Sequence, residues 1–255
     1  MLLRRITKHV KDQNWFAVGI DFFIVVVGVF LGLQIGNWNE ARVSHIQESE
    51  YLEQLRNEIA SNADMARMQS KFVDRVIEGG RNGLEFLESG KPCQSNCERL
   101  VIDFFHASQV WGTDFFREKY QETNRRGIPT HEPLRLVVQD FYSFIAGWDT
   151  VNATPPPYRE RVRGYIPVDA MSVLWADCYE ITDMANELLT FGCAKALSEI
   201  DVSKAFSEMQ ADRELANSLR YWISQNEYAR LNYPMVIARS NASVDAINQH
   251  LGQTQ

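Results

Sequence analysis

The chain has 255 residues, 45% of them hydrophobic, with a formal net charge of −7 and four cysteines. That length fits one large domain or one domain with appendages, and the composition excludes both a disordered chain and a polytopic membrane protein. The acidic balance argues against a nucleic-acid partner, because a phosphate backbone is bound by clustered lysine and arginine.

The charge is unevenly placed. The first eleven residues carry four of the 26 basic side chains (Arg4, Arg5, Lys8 and Lys11) and none of the 33 acidic ones. Leu2, Leu3, Ile6 and Val10 fall near one helical face, with bases filling the other. Residues 1–14 therefore read as a short cytoplasmic amphipathic segment lying on an anionic lipid surface.

Residues 15–38 are expected to form a transmembrane helix. From 15 to 33 only Asp21 is charged, and a bilayer core of ~30 Å takes about 20 apolar residues. A buried core helix is the rival reading, because the uncharged run after Asp21 is short. The span is favoured by the bracketing Trp15 and Trp38, by bases on one side only, and by the lack of a second comparable run. The region is too long for a cleaved signal peptide, and "LQIGNW" is a poor small-x-small site. The expectation is an uncleaved signal anchor crossing a bacterial inner membrane once, with a cytoplasmic N-terminus and a periplasmic domain over 39–255.

On a helical wheel with Asp21 at zero and roughly 100° per residue, Gly28, Gly32 and Gly36 fall at about −20°, +20° and +60°. Small residues four apart let membrane helices approach closely, so this face is expected to be a helix-packing interface. The alternative is the ordinary abundance of glycine in membrane helices. Gln34, at about −140°, lies off that face as a second intramembrane polar residue. Asp21 has two readings: a functional intramembrane acid, or a carboxylate snorkelling to the cytoplasmic edge, toward which helical side chains tilt.

Beyond the span, residues 39–78 hold neither proline nor glycine. Leu52, Leu55, Ile59, Met65, Met68, Phe72, Val76 and Ile77 recur at steps of three and four, with a gap around Asn62. The spacing predicts a helix continuing from the membrane, with Arg56 and Glu58 on its solvated face. Further helices are expected over 98–110, from a cap at Thr113 or Asp114 to a stop at Gly127, over 132–151 with Pro133 in the first turn, over 158–191 divided at Pro167, and over 202–250 kinked or broken at Pro234. The fold class is all-α: one transmembrane helix followed by an antiparallel periplasmic helical bundle.

All four cysteines follow the span, where an oxidising compartment permits bridges. Three pairings are possible. Cys93 and Cys97 sit in a loop and could bridge locally. Cys178 and Cys193 could pair only if the helix between them breaks, since fifteen helical residues would hold them about 22 Å apart.

The segment 2–42 resembles the N-terminal signature of an uncharacterised bacterial membrane-protein family, a domain of unknown function. The residues carrying this are a basic tip, Gln34, Asn37, Trp38, Asn39 and Glu40, then Tyr51, Leu52, Leu55, Glu58 and Ile59. A second patch, "KYQETNRRGIPTHEPLRLVVQDFY", is similar through Tyr120, Glu122, Gly127, Leu134 and Arg135, with Thr123 where the family usually has leucine. The resemblance implies a bitopic helical membrane protein and brings no activity with it.

Enzyme motifs are lacking: there is no G-x-S-x-G, P-loop, G-x-G-x-x-G or H-E-x-x-H. His45 and Glu48 give one reversed Glu-x-x-His pair where a di-metal site needs two plus further glutamates, so no metal and no cofactor are assigned. His106 and His131 read as surface or packing residues. The leading expectation is a non-enzymatic accessory or scaffold subunit whose partners are the bilayer, other membrane subunits or further copies of itself. A homo-oligomeric channel or transport component and a periplasmic ligand sensor are the alternatives.

Overall fold

The computed structural model describes residues 15–112, 114–152, 156–182 and 187–253, with side chains described outside 15–19, 21, 148–152 and 253. It is mostly helical. α1 covers Trp15–Ser89, α2 Cys97–Ala107, α3 Glu118–Arg125, α4 Glu132–Asn152, α5 Pro157–Tyr165 and α6 Val168–Asp177. Two short strands follow, β1 (Tyr179–Ile181) and β2 (Glu187–Leu189), then α7 (Ala194–Leu197), α8 (Ser203–Ala211) and α9 (Arg213–Gln253). The chain divides into two compact units, one up to Glu50 and one from Tyr51 onward.

In the first unit the described side chains of α1 from 20 to 46 are exposed or nearly so. One helix here is long and apolar enough to cross a membrane.

In the second unit the remainder of α1 turns a seam inward. Leu52, Leu55, Ile59, Asn62, Ala66, Gln69, Val73, Val76, Gly80, Gly83 and Leu87 are all buried and alternate in steps of three and four. That is a 3.5-residue period, the spacing that keeps one stripe facing a partner helix. α9 answers it with Leu215, Leu219, Asn226, Ala229, Tyr233, Val236, Ser240, Ser243 and Ile247, also buried. The two helices run antiparallel: Arg220 pairs with Glu88, Arg81 with Glu227, and the Ser240 hydroxyl donates to the Ile59 carbonyl (2.7 Å). α4 also runs antiparallel to α9, with His131 beside His250 and Asp140 on Arg239 (3.0 Å).

The apparent gap at Asn62 is a seam position. Its amide donates to the Phe116 carbonyl (2.9 Å) and accepts from the Phe116 N–H (2.8 Å). This pairing belongs to the reason why 114–117 is not helical, although a helix from Thr113 or Asp114 is expected. Glu187 similarly accepts from the Gly112 N–H (2.6 Å), so backbone groups ahead of α3 are satisfied by side chains of other elements. α3 starts only at Glu118. Thr113 itself lies outside the described residues.

Close approach of α2 and α9 to α1 depends on glycine. A Cβ at Gly79 would stand 2.6 Å from the Asp103 carbonyl oxygen, and one at Gly83 would stand 2.8 Å from the Phe104 ring. A Cβ at Gly80 would meet Ile223 on α9 at 2.8 Å. Two hydrophobic clusters result. One lies between α1, α4 and the C-terminal half of α9; the other gathers α2, α5, α6, α8 and the start of α9 around Phe104, Phe105 and Tyr158.

Pro167 divides α5 from α6. The helix then ends at Asp177, and β1 and β2 pair antiparallel with Glu180 opposite Leu188. That reversal brings the Cys178 and Cys193 Cα atoms to 5.3 Å, where they form a disulfide. Both cysteines are fully buried, and a loop of this length contributes about 3 kcal/mol in the chain-entropy account. Cys93 and Cys97 form the second disulfide. α9 continues through Pro234 without a break. Pro234 and Arg230, whose carbonyl loses its partner, both face solvent, so water takes up the freed group. The break falls instead at Asp212, whose carboxylate accepts from the Glu214 and Leu215 N–H groups (3.0 and 3.2 Å) and caps α9.

Candidate functional site

Two features of α1 invite a functional reading, one in each unit. The first is the apolar surface. Phe22, Phe23, Ile24, Val25, Val29, Phe30, Leu31, Leu33 and Ile35 are each more than half exposed. Burying one such side chain is worth about 1.5–3 kcal/mol, so the stretch forfeits on the order of 10 kcal/mol in water, as much as the whole stability of a typical domain. An apolar environment has to supply that burial.

Gly28, Gly32 and Gly36 lie exposed on this surface, with no atom within 4 Å of a Cβ built on any of them. They differ in this from Gly79, Gly80 and Gly83, which already have helices seated against them. Gln34 and Trp38 are exposed too. The side chains of Trp15 and Asp21 lie outside the described ones, as do Arg4, Arg5, Lys8 and Lys11 altogether.

The second feature lies in the second unit and centres on Glu58. Expected on the solvated face, this residue is buried. Its carboxylate accepts from the Lys119 N–H (2.7 Å), the Tyr120 N–H (3.0 Å) and the Tyr142 hydroxyl (2.5 Å). Lys119 and Tyr120 stand in the first turn of α3, where backbone donors have no helical acceptor and the helix dipole favours an anion. The Tyr120 and Tyr142 rings stack at 3.9 Å. Burial and the adjacent carboxylate drive the Tyr142 phenol far above its ordinary range, so it stays a donor. Arg126, at the end of α3, lies 4.6 Å over the Tyr51 ring. Glu122 takes no part in the junction and pairs with Lys119 and Arg126 at the surface.

The two patches that carry the family resemblance therefore meet at this junction: Tyr51 and Glu58 from one, Tyr120 and the α3 backbone from the other. Sequence reasoning gave Glu58 no role. A signal was available, because Tyr51, Glu58, Met65 and Phe72 repeat every seven residues beside the seam, and the other three are large side chains that pack.

A third group sits on α2. His106 is fully buried, with Nε2 3.2 Å from the Cys178 carbonyl and its ring against Phe191 (5.1 Å). Burial lowers its pKa to about 4. Arg99 and Arg75 cover Phe191 at 3.4 and 4.4 Å. Asp103, one turn back, is buried beside Asn82 (2.9 Å) and Arg99 (3.4 Å), and burial raises its pKa. These groups tie α1, α2 and the strand region together. His131 is exposed and stacks on His250 (5.2 Å). Among the described residues, no three His, Cys, Asp or Glu side chains come together as a metal site would require.

This geometry can hold helices together and present an apolar face. No protein-family model, no curated protein and no solved structure matches the chain.

Proposed function

We propose that the chain is a non-enzymatic, single-pass inner-membrane protein that docks other membrane helices through the glycine face of α1 and carries a periplasmic antiparallel helical bundle, as an accessory or scaffold subunit. The carrying observation is that Gly28, Gly32 and Gly36 share one exposed face with open space at every Cβ position. The same face continues past Trp38. Val43 and Ile46, at about +40° and −20° on the wheel, are also exposed. Continuity of an apolar face beyond the bilayer favours a partner that accompanies the helix out of the membrane, either another subunit or a further copy.

The two disulfides fit an oxidising compartment for the second unit, and the basic tip fits a cytoplasmic N-terminus. The two patches on which the resemblance to the uncharacterised membrane-protein family rests meet at the Glu58 junction.

Crosslinking and native mass spectrometry in lipid test the reading. A complex with unrelated membrane proteins supports a scaffold, whereas a closed homo-oligomer that conducts ions would favour a channel. Gly32→Leu is expected to abolish the complex without changing the thermal unfolding of the second unit. If the variant migrates with wild type in native gels, the docking role of the glycine face is wrong. A membrane-impermeant amine reagent added to spheroplasts should label exposed lysines of the second unit such as Lys204; no labelling there would reverse the topology.

A further inference from the structure

α5 presents three arginines within five residues, and they are not treated alike. Arg161 pairs with Asp212 at 2.9 Å. Arg159 and Arg163, one turn apart on another face, have no carboxylate within ion-pair distance among the described residues. Both turn instead to one buried residue, Ser108. Arg159 Nη1 donates to its carbonyl (3.3 Å), Arg163 Nη2 to the same carbonyl (3.4 Å), and Arg163 Nε to its hydroxyl (2.9 Å). A guanidinium carries five N–H donors, so these bonds use one from Arg159 and two from Arg163.

Both side chains are partly withdrawn from water. Burial lowers the Arg159 pKa, while burial together with the neighbouring Arg159 charge brings Arg163 to about 10. The carboxylate whose charge reaches Arg159 is Glu187, which already accepts from the Gly112 N–H and the Tyr179 hydroxyl (2.7 Å). The arginines line an open cavity of about 700 Å³, walled by Pro156, Pro157 and Gly164, with Glu160 on the rim. Neither proline brings a side-chain acceptor. Arg163 also rests on the Trp175 ring (4.9 Å), which holds its plane in place.

We infer that this cavity is a binding site for a small oxyanion, a phosphate or carboxylate group, held between Arg159 and Arg163. Planar guanidinium forks match such groups in geometry and charge. Fixing two forks beforehand on Ser108 removes part of the ordering cost of binding. The phosphate could arrive free in solution or on a lipid headgroup. This site is independent of the glycine face and stands whether or not that face docks a partner.

The test uses the full chain in a non-ionic detergent. Inorganic phosphate is titrated by calorimetry and by thermal unfolding, against chloride at matched ionic strength. Phosphate should bind saturably and raise the unfolding temperature more than chloride does. Arg159→Gln should weaken binding about tenfold or more. Glu160→Gln should strengthen it. Gly164→Glu places a competing carboxylate at the rim, where a Cβ meets open space; it should remove the phosphate response without disturbing the arginine packing, so it remains informative if Arg159→Gln misfolds. Nanodiscs of phosphatidylcholine with and without phosphatidylglycerol separate the sources. Loss of the phosphate response only with phosphatidylglycerol identifies a headgroup, and an unchanged response identifies a soluble anion. A phosphate effect no larger than that of chloride, or a wild-type response in folded Arg159→Gln or Gly164→Glu, overturns the site.

Discussion

A carboxylate at position 58 serves two backbone N–H groups and one phenol, and each of those donors depends on it for a partner. Removing it leaves three donors stranded away from water, so Glu58→Ala is expected to cost about 2–4 kcal/mol in denaturant unfolding, whereas Tyr142→Phe, which removes one donor only, should cost about 1 kcal/mol. A Glu58→Ala midpoint indistinguishable from wild type would show that the junction is decorative. The His106 imidazole sets a pH dependence. Its pKa falls from 6.5 to about 4 on folding, so the unfolded chain binds the extra proton. The associated stability is present above pH 6.5 and is lost as pH falls through 4, to a total of about 3 kcal/mol. Asp103 works the other way. Its pKa is raised, so the folded form gains relative stability as pH drops toward that raised value. Unfolding free energies of Asp103→Asn measured from pH 7 to 4 should therefore decline more steeply than those of wild type. Those of His106→Gln should not show the decline; if they match wild type, the titration belongs elsewhere.

At the scale of elements, α1 uses glycine twice for opposite ends. Alanine is favoured over glycine in a helix by about 1 kcal/mol. At Gly28 that gain meets open space, and Gly28→Ala should leave folding intact. At Gly79 the new methyl would press on a backbone carbonyl that cannot rotate aside. Overpacking costs about 1–3 kcal/mol and wins, so Gly79→Ala should lower the denaturation midpoint; an unchanged or raised midpoint would mean that α2 gives way. Most helices were legible because burial here follows a 3.5-residue period. The exceptions share one cause, which is that long-range partners overrule local pattern. Asn62 looked like a gap because its partner is the Phe116 backbone, 54 positions away. Residues 114–117 read as helical because nothing local reveals that Asn62 pairs with the Phe116 backbone. β1 and β2 are three residues each, too short for alternation to register, and with them went the means to choose among the cysteine pairings. Glu58 was misplaced because a charged side chain beside a seam reads as solvated until its acceptor role is seen.

For the whole molecule, the order of the chain sets the order of events. α1 is the first described element and its antiparallel companion α9 is the last, so the seam from Leu52 to Leu87 is closed by residues synthesised more than 120 positions later. Contacts of such sequence separation slow folding, because loop closure precedes their reward. Until α9 arrives, the apolar stripe of α1 from Leu52 to Leu87 stands open. A chain stopped after Asp212 should lose protection of 51–211 from protease, and a resistant fragment of that region would refute the dependence. The second unit thus stays unfinished until α9 has been delivered, and during that interval the same stripe is open to the α9 of a neighbouring copy. Domain exchange between copies is the hazard built into this topology.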